Sequence, residues 1–179
     1  MNNKKVIVLT GAVVVLLLMG GIWLNKKNKK PEEKISPEIT LESTKMITNE
    51  ASLVAPMTEE EKQTIEKTFA QEGAEMTMLK DVSGGQAVGT SWRHFDKSNF
   101  VLKVEVSNLV IMEKGFYYEG WLVSDKGFFS IGRMAAVNGQ GKLYYQTTED
   151  KSEFRGVVVT LEPEDGNAAP DKHIVEGSF

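Results

Sequence analysis

Residues 100–107, FVLKVEVS, decide the fold. Phe100, Leu102, Val104 and Val106 alternate there with Val101, Lys103, Glu105 and Ser107, the period of two that gives a strand one buried and one wetter face. A helix would repeat every 3.6 residues instead.

The same period appears on both sides of this run, at residues 76–79 and 87–95 before it and at 117–124, 128–134, 142–147, 155–161 and 174–177 after it. Turn signals separate the runs: Gly84-Gly85, Asp96 to Asn99, Asp125 to Gly127, Asn138-Gly139 and Asp165 to Asn167. The gaps are too short for crossover helices, so neighbouring strands run antiparallel. Residues 74–179 are therefore expected to form an antiparallel β-sandwich of about eight strands, or a closely related barrel.

Upstream the pattern changes. In residues 57–73, Thr58 and Glu61 fit a capping box, Glu59, Glu60 and Glu61 sit at the positive end of the dipole, and Gly73 supplies the stop. A short amphipathic helix over 59–72 is predicted, with Ile65 and Phe69 four apart on a narrow apolar stripe. Residues 25–56 are polar, contain Pro31, Pro37 and Pro56, and read as a tether.

Residues 6–24, VIVLTGAVVVLLLMGGIWL, carry no charge. At roughly 1.5 Å of rise per residue they span the roughly 30 Å hydrocarbon layer as a transmembrane helix. A cleaved signal would have a shorter apolar run and small residues before the cut. Here the best small pair, Gly20 and Gly21, is followed by Ile22, Trp23 and Leu24 of the same run. Residues 1–5 are then a short cytoplasmic tail. Lys26, Lys27, Lys29 and Lys30 outnumber Lys4 and Lys5, but long polar segments cross largely regardless of charge. The expected location is the cell membrane, single-pass, with the C-terminal domain extracytoplasmic.

All six basic residues of the first thirty are lysines, so the 21 basic residues of the chain leave 15 beyond them, against 25 acidic ones, a net charge of −10. Nucleic acid demands the opposite sign and is excluded as a partner. With no cysteine, thiolate zinc sites, disulfides, thiol nucleophiles and an N-terminal lipidated cysteine are excluded too. There is no Gly-x-Ser-x-Gly and no Gly-rich loop opening a helix. No cofactor and no enzymatic activity are expected.

Two passages stand out, residues 116–123 (FYYEGWLV) and 157–179 (VVVTLEPEDGNAAPDKHIVEGSF). In the first, Tyr117, Glu119, Trp121 and Val123 share a face, and Trp121 is expected in the core. Glu119 beside it belongs either at the rim or against a cation. Should the two passages meet, Glu119, Glu162, Asp165, His173 and Glu176 would form a candidate metal site for a hard, oxygen-loving cation, with His173 tilting it towards a transition metal. The competing reading is that Asp165 caps a turn and the others are surface residues. It is favoured, because no spacing matches a known metal loop. His94, on an aromatic-flanked strand, is expected to pack.

With the early GGQAVGT (84–90), these passages resemble the C-terminal domain of the anti-sigma-K factor family. The resemblance rests on Tyr118, Glu119 and Trp121 to Val123, on the stretch Gly127 to Gly132 after them, and on Val159-Thr160-Leu161-Glu162-Pro163 followed by Asp165-Gly166-Asn167 and Pro170. It covers roughly residues 75–179. It implies a domain outside the membrane that serves in sensing, with a cytoplasmic sigma-binding domain before the membrane helix. Only Met1 to Lys5 precede that helix here, so no sigma-binding part is expected on this chain. Gly120, between the acid and the tryptophan, departs from the family pattern and suggests a bulge. The expected role is binding or sensing at the membrane, with another envelope or sensory protein as partner. The alternatives are a structural cell-envelope interaction module and a metal-dependent binding or catalytic domain.

Overall fold

The computed structural model describes residues 46–48 and 56–179, all within the second of two units of the chain, Ser36–Phe179. It contains β1 (Met46–Thr48), α1 (Glu59–Glu72), β2 (Glu75–Asp81), β3 (Val88–Phe95), β4 (Phe100–Ser107), β5 (Phe116–Ser124), β6 (Gly127–Val137), β7 (Gln140–Thr147), β8 (Gly156–Pro163) and β9 (Lys172–Ser178). The capping signals act as read. The Thr58 side chain accepts from the Glu61 N–H, Glu61 Oε2 accepts from the Thr58 N–H at 2.7 Å, and Gly73 takes φ 84° to stop α1.

The expected sandwich is corrected by the strand pairing. The order is β6-β5-β8-β9-β2-β3-β4-β7, every pair antiparallel, and β7 returns to β6, giving a closed eight-stranded barrel. Closure is short: only Ala135↔Lys142, Ala136↔Gly141 and Val137↔Gln140 join β6 to β7, across a turn in which Asn138 (φ 52°) and Gly139 (φ 75°) both take positive φ. Alternation alone could not show this, because sandwiches and barrels both bury every second residue. The membrane helix expected at 6–24 lies outside the described residues. Among the described residues, no helix is long and apolar enough to cross a membrane.

Above the closing pairs β6 and β7 part, leaving a seam between Ile131 to Met134 and Leu143 to Gln146. The N-terminal half of β6 is paired instead with β1, in parallel, through Met46↔Phe128 and Thr48↔Phe129. The barrel interior is one apolar cluster that includes Phe100, Leu102, Val104, Val106, Tyr118, Leu122, Phe129, Val157, Val159 and Val175. Trp121 is buried but is not part of it. It forms a second cluster with Val123, Phe128 and Val158 on the barrel's outer face, its ring edge-on to Phe128 at 6.0 Å. Helix α1 lies over β3 and β4 on another part of the outer face, where Glu66 meets Lys103 at 3.0 Å and Tyr144 at 2.6 Å, and Glu72 meets His94 at 3.0 Å.

Candidate functional site

Two β-bulges define the site. In β6 the pairing steps from Gly120↔Gly132 to Trp121↔Ser130, leaving Ile131 as the extra residue. In β9 it steps from Val159↔Val175 to Thr160↔His173, leaving Ile174. Each extra residue reverses the alternation of its strand. Ser130 and Arg133, three apart, thus both point outward, as do His173 and Glu176. Gly132 takes φ 111° at the first bulge. A Cβ on Gly120 would stand 3.0 Å from both Ile131 and Leu143, so the glycine makes room for the bulged isoleucine. The bulge that Gly120 suggests is present, on the facing strand.

The bulges flank one register row across four strands, Arg133↔Glu119↔Thr160↔His173. Glu162 follows on the same face, opposite Tyr117, and Glu176 precedes, opposite Val158. The fold thus brings Glu119, Glu162, His173 and Glu176 to one outer surface. Asp165 is not among them: it lies in the β8–β9 loop, where its carboxylate accepts the Asn167 N–H at 2.8 Å. His173 Nδ1 is hydrogen-bonded to Glu176. Among the described residues no three His, Cys, Asp or Glu side chains are placed to hold a metal ion.

Glu119 and Glu162 are 6% and 2% exposed. Glu119 stands neither at the rim nor in an ion pair with Arg133: the Ser130 hydroxyl donates to it. Burial pushes its pKa up, the Ser130 hydrogen bond opposes this, the Glu162 charge adds to it, the Arg133 charge works against it, and the net is a raised pKa. Burial likewise raises Glu162, against hydrogen bonds from Thr160 and from the Asp171 N–H at 2.9 Å. The Trp121 indole N–H donates to the Thr160 hydroxyl at 2.8 Å, tying the apolar cluster to this polar row.

The open seam beside the row forms a cavity of about 770 Å³, within the usual range for small-molecule sites. Ile131, Leu143 and Tyr145 reach it from the barrel interior, Glu119, Tyr117 and Arg133 from the outer face, and Pro56, Met57 and the first turns of α1 close one side. Arg133 stacks on Tyr117 at 3.6 Å and meets Glu164 at 3.4 Å. Tyr144 donates to Glu66, and its own pKa is pushed up by burial and by that carboxylate.

Sequence reading found the carboxylates but missed Ser130, Arg133, Lys142 and Tyr144. Only the outward parity of Tyr144, between the inward Leu143 and Tyr145, was available as a signal. A family model described as "Anti-sigma-K factor rskA, C-terminal" matches residues 7–174, reaching much further upstream than the resemblance read at 75–179. No curated protein and no solved structure matches the chain.

Proposed function

Because this chain belongs to the family of anti-sigma-K factor C-terminal domains, we propose that it is a membrane-held regulatory receptor. In this reading its barrel lies outside the cytoplasm and receives a signal at the double-bulge face and seam cavity. The family is regulatory rather than enzymatic, and the role given to the barrel is binding. The observation that carries the reading is the reach of the match. It begins at residue 7, inside the uncharged run 6–24, and so takes in nearly all of that run together with the barrel in a single family match. An apolar run of this length suits membrane anchoring, and long polar segments translocate readily. Protease added to intact cells is expected to degrade an epitope tag at Phe179. A tag that survives protease on intact cells and is lost only after lysis overturns the topology.

A second reading, an envelope module that holds a partner by strand addition, draws on one observation. The N-terminal part of β6, which β7 does not cover, accepts the short parallel strand β1. Co-purification of a separate sigma-regulating chain favours the receptor; co-purification of envelope components alone favours the module.

A further inference from the structure

The charges lining the seam cavity do not balance once their partners are counted. Lys62 is paired with Glu59 at 2.7 Å, Lys142 with Glu105 at 2.7 Å, Arg133 with Glu164 at 3.4 Å, and Glu66 with Lys103 at 3.0 Å. Glu119 lines the same cavity, is 6% exposed and has the Ser130 hydroxyl as its hydrogen-bond partner. Among the described residues no cation stands within ion-pair distance of it. Its cross-strand neighbour Arg133 offsets the burial only in part, being paired with Glu164; a buried carboxyl facing a cavity without an ion pair is a costly arrangement that a ligand's positive charge would relieve.

We propose that the seam cavity binds an organic cation, with its ammonium group against Glu119 and its apolar body over Ile131, Leu143 and Tyr145. Tyr144 and Tyr145 in the wall add aromatic surface suited to a cationic or aromatic guest, and Arg133 on the Tyr117 ring at 3.6 Å shows the same kind of contact made within the chain. The raised pKa of Glu119 points the same way: burial disfavours its charged form, and an ammonium group beside it would favour that form. The inference rests on the reading of the cavity as the receptor's binding site.

The test uses the full chain in detergent micelles, titrated at pH 7.5 by calorimetry with phenethylamine and with its uncharged counterpart 2-phenylethanol. The amine is expected to bind at least tenfold more tightly. Glu119→Gln should abolish that preference, and Ala135→Trp, an exposed wall position pointing away from the barrel core, should block both compounds. Near-UV circular dichroism checks that each variant folds. Equal binding of amine and alcohol, or a preference that survives in Glu119→Gln, overturns the cation class while leaving the cavity as a binding site. No binding of either compound overturns both the inference and the binding-site reading.

Discussion

Two parts of the barrel's outer face solve the same problem differently. Under α1, Trp92 is half-buried beneath Lys103 at 4.4 Å, and Lys103 is held by Glu66, so every buried charge has an opposite beside it. On β6, β5, β8 and β9, Trp121 is fully buried on the same face as two buried carboxyls, Glu119 and Glu162, neither of which is in an ion pair; Glu119 feels the Glu162 charge against it and only a partial offset from Arg133. The first arrangement is what stability selects. The second costs stability, because desolvated carboxyls outside an ion pair are destabilising.

The largest test of this contrast is removal of each tryptophan. Trp121→Ala should lower the unfolding free energy by about 3–5 kcal/mol, since it empties a closed site and leaves the Thr160 hydroxyl without its donor. Trp92→Ala should cost less than half of that. Urea unfolding of both variants decides it, and equal losses would erase the distinction between the faces.

Next in size is the pH dependence. Glu119 has a folded pKa above its unfolded value, so the folded state still holds the proton where the unfolded state has released it. Stability therefore falls as pH rises from the ordinary carboxylate range to the raised value and is flat beyond. Glu119→Gln should shrink that decline and be more stable than the parent at neutral pH. Glu66 behaves oppositely. Burial raises its pKa, but the Tyr144 hydroxyl and Lys103 more than offset this and leave it lowered, so its contribution is lost as pH falls. Glu66→Gln should weaken the protein at neutral pH. Unfolding midpoints from pH 4 to 8 for the two variants should diverge in sign.

The smallest effect is expected from Lys103→Met, which trades the ion pair for apolar contact with Trp92 and Phe69. The loss should stay below about 1 kcal/mol and shrink further in high salt. Melting temperatures at two salt concentrations measure it.

Much of the local structure was legible. The period of two in FVLKVEVS and its neighbours placed all eight barrel strands, and Thr58, Glu61 and Gly73 marked the ends of α1. The site was legible only in part. Glu119 and Glu162 could be recognised as acids on strands, but their meeting depends on β5 pairing with β8, some forty residues on. His173 and Glu176 fall on opposite faces by simple alternation, and the bulge at Ile174 puts them on one.

The amino-acid sequence by itself determined which residues form strands, where the helix begins and ends, and which family the chain resembles, because caps, turns and alternation act between near neighbours. Tertiary structure alone decided that the sheet closes through three pairs of β6 and β7 instead of splitting in two, that Trp121 belongs to the outside, and that Glu119 faces a cavity. These depend on pairings between segments far apart in the chain, whose register local patterns do not encode.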